Sequence, residues 1–127
     1  NVSSQVEERN TMPDSIFTKI INREVPATIY FEDADFIVIK DIHPAAPVHA
    51  LIIPKHPYQT LEDVDLEDTE FLGKLLQTAR TVALQLHIAN NYKLVMNVGK
   101  DIQAVPHTHL HLLGGWVNPS ADTAANV

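Results

Sequence analysis

The sequence predicts an α+β domain: a five-stranded, mainly antiparallel sheet with one short N-terminal helix and one long helix. Apolar residues recur at helical spacing near 16–21 and again from 71 to 86. Between and after these stretches lie short segments rich in β-branched and aromatic residues, separated by proline, asparagine and glycine turns. The order is α, three β joined as a meander, α and two β.

Pro13 and the potential caps Asp14 or Ser15 precede Ile16, Phe17, Ile20 and Ile21, which share one face of a short amphipathic helix ended by Pro26. Strands are expected at 28–32, 36–41 and 49–54. From Asp65 the period changes. Phe71, Leu72, Leu75, Leu76, Ala79, Val82, Ala83 and Leu86 keep one face apolar, and Glu67, Asp68 and Glu70 complement the positive helix N-terminus. Asn90 and Asn91 form a turn before a fourth strand at 93–98. A loop at 99–105 leads to the run P-H-T-H-L-H-L-L-G-G at 106–115, read as the fifth strand and stopped by Gly114 and Gly115. Residues 1–13 are polar and unpatterned, an expected disordered extension in which Met12 is placed as a natural start behind foreign residues. The domain spans 14–117, and 118–127 is expected to be a flexible tail, with Trp116 large enough to dock.

With 127 residues there is room for one domain with a modest core. Hydrophobic residues at 45% and charged residues at 20% are ordinary for a globular protein. The net charge of −7 opposes a general grip on the phosphates of nucleic acid, although a small anion can bind where amides and imidazoles converge. Without cysteine there are no disulfides, thiolate metal sites or cysteine nucleophiles. No apolar run approaches the ~18 residues of a membrane span, so the expected location is the cytoplasm and no membrane partner is expected.

His107, His109 and His111 alternate with Thr108, Leu110 and Leu112. In an extended chain, residues two apart share a face at a spacing of ~6.6 Å, so three imidazoles face one way and two leucines face a core. Three readings are open: a solvated polar face; a metal held by two histidines and a distant ligand such as His49; or catalysis at phosphorus, with one imidazole as nucleophile and its neighbours holding oxygens and moving protons. The outer pair lie about 13 Å apart along a strand, too far for all three to reach one ion.

The run His107-Thr-His-Leu-His-Leu-Leu113 resembles the signature of the histidine triad (HIT) superfamily, and the wider chain resembles its Hint-like branch of purine nucleoside phosphoramidases. The likeness is carried by S-I-F-T-K-I-I, E-V-P-A, F-E-D, K-D-I-H-P-A-A-P-V-H-A-L-I-I-P-K-H and M-N-V-G, in order before the triad. It implies a HIT-like fold that binds a purine nucleotide, with AMP or GMP as the bound moiety. It further implies that His109 attacks the α-phosphorus to form a nucleotidyl-histidine that water resolves, and that His111 holds a phosphate oxygen. His107 and His49 would form the network that orients the imidazoles. Asp41 would accept the ribose hydroxyls, Ile16, Phe17, Ile20, Ile39 and Ile42 would wall the base, and Asn97 and Gly99 would lie near the phosphate. A homodimer is implied, and a dinucleoside polyphosphate hydrolase of the Fhit type or a weakly catalytic nucleotide-binding module are its alternatives. No cofactor and no metal are expected. Ser15 and Thr18 stand where some relatives carry the cysteines of a structural zinc site. Ala104 stands where many Hint enzymes carry a serine thought to protonate the leaving amine. His56 is expected to be exposed, His87 to meet the negative end of the long helix, and His43 has no assigned role.

Overall fold

A computed structural model describes residues 15–117; the expected N-terminal extension and C-terminal tail lie outside this range. Helix α1 spans Ile16–Ile21, followed by strands β1 (Ile29–Glu32), β2 (Phe36–Lys40) and β3 (Val48–Pro54). A 3₁₀ turn at Leu61–Asp63 leads to helix α2 (Thr69–Gln85), then β4 (Tyr92–Val95) and β5 (Leu110–Gly114). All strand pairs are antiparallel, in the order β1-β2-β3-β5-β4. The fold class is the one the sequence predicts. Among the described residues no helix is long and apolar enough to cross a membrane.

The sheet has two buried faces. On one, Leu75, Ala79, Val82 and Ala83 of α2 pack on Phe36, Val38, Ala50, Ile52, Leu110 and Leu112. On the other, Phe17 and Ile20 of α1 pack on Ile37, Ile39, Leu51 and Ile53. This is the period-two alternation of β2 and β3 resolved into two layers, and it explains why these strands read as nearly continuous apolar runs. Leu72 and Leu76, counted on the apolar stripe of α2, stand exposed at its flank.

The helix ends are local chemistry. Ser15 caps α1 by accepting the Thr18 N–H, and Asp68 caps α2 by accepting the Phe71 N–H. The expected ends move for identifiable reasons. Pro26 does not terminate α1: the helix closes four residues earlier through a Schellman pair, in which Arg23 N–H reaches Ile20 O, Glu24 N–H reaches Lys19 O, and Arg23 takes φ 63°. Likewise α2 closes with His87 at φ 62°, His87 N–H on Leu84 O and Ile88 N–H on Ala83 O. His87 therefore meets the helix C-terminus through its backbone, in a conformation glycine usually supplies. At its other end α2 begins at Thr69 rather than Asp65, because the 3₁₀ turn and its capping box, closed by Thr60 and Asp63, precede it. The fourth strand is Tyr92–Val95, shorter at its end than the expected 93–98.

Gly114 is required by space. A Cβ there would lie 2.8 Å from Ile88 Cδ1 and 2.9 Å from Asn91 O, where α2 turns into β4. Gly114→Ala is expected to lower the unfolding free energy by about 1–3 kcal/mol, as overpacking does, measured by chemical denaturation against the wild-type chain.

Candidate active site

The register of β3 against β5 sets the site. His49 pairs with Leu113 and His111 pairs with Leu51, so the two histidines are diagonal neighbours on the α1 face of the sheet. The triad alternates as expected, but only His111 lies within β5. His107 and His109 precede it in an extended segment outside the ladder, because the backbone there bonds elsewhere: Thr108 N–H goes to Tyr58 O, and His107 O is taken by a side chain. Thr108, Leu110 and Leu112 face the opposite way and are buried, with Thr108 Oγ1 lacking a hydrogen-bond partner.

The partners of the four imidazoles fix their tautomers. Ala45 N–H donates to His49 Nδ1 at 2.9 Å, so His49 carries its proton on Nε2. That N–H points at His111 Nδ1, 2.9 Å away, with Asp41 Oδ2 at 3.4 Å. His111 Nδ1 is therefore the acceptor, and the His111 proton sits on Nε2. His109 donates from Nδ1 to His107 O at 2.7 Å, which leaves Nε2 as a bare lone pair. His107 donates from Nε2 to Pro54 O at 2.7 Å, and its Nδ1 receives the Ser15 hydroxyl at 3.4 Å. Phe17 sets its ring edge-on against both His109 and His107, with centroids 4.9 and 6.0 Å apart. The N-capping serine of α1 and the second residue of that helix thus hold the triad from the same side.

Burial pushes all four imidazoles below the ordinary histidine range. For His49 and His109 the Asp41 carboxylate opposes this, and hydrogen bonds to carbonyls oppose it at His107 and His109. His111 is pushed down to about 4, by desolvation and by the neighbouring His109 and His49. The cluster is neutral at pH 7.

In front of it lies a cavity of about 520 Å³, within the usual range for a small-molecule site. Its apolar end is built by Ile16, Phe17, Ile20, Val25, Ile39 and Leu51; its polar end by Asp41, His49, His109 and His111. Ile42 and His43 stand exposed at the mouth, and Ala104 and Val105 belong to the wall. Of the residues expected at the site, His107 lies behind the wall, bonded to His109. Asn97 and Gly99 are not on the lining; Gly99, at φ 127°, instead donates its N–H to Gln103 Oε1. His56 is exposed and stacks on Tyr58.

Sequence reasoning missed three contributors. Ala45 N–H and Pro54 O are backbone groups with no side-chain signature. Gln103 uses both ends of its amide, accepting from Gly99 N–H and donating to Gln59 O and Val105 O, and so holds the loop whose next two residues form the cavity wall. Ser15 was legible as a cap but not as a partner of His107.

Asp41, His49 and His111 present ligand atoms within 4.8 Å of one another. A metal on His49 Nε2 would need the other tautomer, whose Nδ1–H would face the Ala45 N–H donor. The donor set is therefore matched to a shared proton rather than to a cation.

The chain matches the HIT domain family over residues 22–117. The chain belongs to the HIT family. It is 48% identical over 103 residues to an uncharacterised HIT-like protein of Synechocystis, covering 80% of this chain and 90% of that protein. Its fold superposes on a HIT family hydrolase from Clostridium thermocellum with a TM-score of 0.78, 44% identity and coverage of 84% of this chain and 94% of that one. A histidine triad nucleotide-binding protein from Candida albicans superposes with a TM-score of 0.68 at 29% identity, covering 89% and 92% of the two chains. In this HIT protein the triad is three imidazoles with three different outlets: one lone pair, one N–H, and one buried brace.

Histidine titrations by NMR are expected to place His111 near pH 4 and His49, His107 and His109 below the ordinary 6.5. All four are depressed in the folded state, so the unfolded chain binds more protons below about pH 6.5. Thermal stability should consequently be complete above that pH and fall as pH drops from about 6.5 toward 4.

Proposed function

We propose that this HIT protein hydrolyses the bond between the 5′-phosphorus of a purine nucleoside monophosphate unit and its leaving group, with the phosphoramidates implied by the family resemblance as the reference substrates. The observation that carries the reading is the His109 Nδ1–H bond to His107 O at 2.7 Å, which turns the Nε2 lone pair into the nucleophile. The hydrolase and nucleotide-binding relatives support the same assignment.

His109 Nε2 attacks the phosphorus as the P–N bond breaks, and the electron pair leaves with the nitrogen, which takes a proton from solvent and departs as the free amine. The nucleotidyl group is left on an imidazolium whose Nδ1–H still rests on a carbonyl that favours the positive charge. Water then attacks phosphorus and gives up a proton to solvent, the electron pair of the N–P bond returns to Nε2, and the nucleoside monophosphate is released. His111 donates its Nε2–H to a phosphoryl oxygen, aligned by His49, which cannot itself charge without losing the Ala45 bond. His107 and Ser15 brace His109 from behind. The base occupies the apolar end against Ile16, Phe17, Ile20 and Ile39, with Ile42 beside it at the mouth. The ribose hydroxyls bond Asp41, whose Oδ1 is oriented by the His43 N–H at 2.8 Å. No step requires a metal.

Two copies form the working unit, paired through α2 and the free edge of β4. Leu76 and Leu84 of α2 are 50% and 69% exposed, and β4 is the outer strand on that side of the sheet.

A denaturing quench at alkaline pH, in which a P–N bond to histidine survives, during turnover of adenosine 5′-phosphoramidate should trap a protein adduct with the added mass of a nucleotidyl group. His109→Ala should lose the adduct and more than about 10³-fold in turnover; undiminished turnover in that variant overturns the proposal. Sedimentation should give a dimer for the wild-type chain and a shift toward monomer for Leu84→Glu.

A further inference from the structure

The peptide group between His107 and Thr108 is bonded at both ends. Its carbonyl, His107 O, accepts the His109 Nδ1–H at 2.7 Å. Its N–H, on Thr108, donates to Tyr58 O at 2.8 Å. This peptide precedes β5, whose ladder begins at Leu110, so Tyr58 O holds it as a neighbouring strand would. One planar unit therefore joins a carbonyl of the β3–α2 connection to the imidazole that faces the cavity. A peptide whose N–H is engaged has a more electron-rich oxygen, and hydrogen bonds in such a chain reinforce one another.

The carbonyl of Tyr58 is itself fixed. Tyr58 N–H donates to His56 O at 2.8 Å across Pro57, a three-residue turn that suits the fixed φ of proline. On the far side, Gln59 N–H meets Asp63 Oδ2 at 3.1 Å and Gln59 O accepts the Gln103 amide at 2.9 Å. The half-buried Tyr58 ring stacks on His56 with centroids 4.1 Å apart and stands edge-on to Phe71 at 5.3 Å. Phe71, in the first turn of α2, packs in turn on the buried Phe36. An aromatic column thus ties the core under α2 to the backbone behind His109. Tyr58 is not on the cavity lining.

We propose that Tyr58 is a positioning residue for His109: its packed ring holds its carbonyl on the Thr108 N–H, and through the 107–108 peptide that bond strengthens the acceptor on which His109 Nδ1–H rests. The inference rests on the nucleotidyl-His109 reading and adds to it a residue from the α2 side of the sheet. Donation from Nδ1 to a stronger acceptor raises the electron density at Nε2, and it favours the imidazolium that forms when Nε2 bonds phosphorus. The same bond fixes the plane of the peptide, and with it the direction in which the ring presents its lone pair. Both effects act on the reacting nitrogen and neither touches the ligand. Their signature is a change in kcat with KM retained.

The test uses the full chain, measures turnover of adenosine 5′-phosphoramidate, and follows the His109 Nδ1–H proton by NMR. Tyr58→Ala takes the ring out of the column. It should lower kcat about 10-fold or more with KM unchanged, the scale on which groups that orient an imidazole from behind usually act. The His109 Nδ1–H resonance should move upfield as its bond to His107 O weakens. Tyr58→Phe, which keeps the ring, should restore both. A chain with an ester in place of the peptide link between Tyr58 and Gln59 keeps every side chain and weakens Tyr58 O as an acceptor; it should repeat the Tyr58→Ala result. That ester also deletes the Gln59 N–H, so Asp63→Ala, which removes the partner of that N–H, is the control and should keep the wild-type kcat. Wild-type kcat and an unmoved resonance in the ester chain overturn the inference. So does a loss carried by KM instead of kcat, or a loss in Asp63→Ala equal to that in the ester chain. Full turnover in His109→Ala would sink the underlying reading instead, and the resonance would still test the Tyr58 bond.

Discussion

The antiparallel pairing of β3 with β5 is the constraint on which the rest depends. Its register opposes His49 to Leu113 and Leu51 to His111, which sets two imidazoles diagonally adjacent and within hydrogen-bond reach. The same register delivers Ala50, Ile52, Leu110 and Leu112 to the other face, where α2 covers them. A slip of one residue would send the histidines into the α2 core and the leucines into the cavity. The hydrophobic core and the reactive cluster are thus held by one choice of pairing, and the burial of either enforces the geometry of the other.

The neutrality of the cluster follows from burial, and backbone groups decide which nitrogen of each ring carries the proton. Two carbonyls and one amide N–H select three of the four tautomers, and the fourth follows from its neighbour. An imidazole whose two nitrogens both have assigned partners gains a proton only by breaking one of those bonds, which adds to the desolvation that already disfavours the charged form. The cavity therefore offers a ligand dipoles and N–H donors rather than full positive charges, in keeping with the chain's overall acidity.

Much of this was legible in the sequence and the illegible part has a common cause. The β-branched and aromatic content of F-I-V-I-K and H-A-L-I-I-P, bounded by turns, revealed β2 and β3, and the spacing of the triad revealed which residues share a face. Spacing did not show that His107 and His109 lie outside the ladder, because that depends on a bond from Thr108 N–H to a carbonyl fifty residues earlier in the chain. Ala45 N–H and Pro54 O are invisible for a related reason: any residue can supply a backbone group. Helix α1 ends before Pro26 because Arg23 takes a left-handed conformation that glycine normally signals, and His87 takes the same conformation at the end of α2, where the apolar stripe already placed it. Asn97 and Gly99 were placed by resemblance. Their distance from the cavity lining reflects a loop whose shape is set by the Gln103 amide.

Helix α1 has six residues, too few to be stable by itself in water. It exists because Phe17 and Ile20 are buried on the sheet and because Ser15 is bonded both to its first turn and to His107. The wall of the binding cavity is therefore the least self-sufficient piece of secondary structure in the domain. A ligand filling the apolar end adds contacts to an element that has few of its own, so affinity for that ligand and the local folding equilibrium of α1 are one free energy seen from two sides.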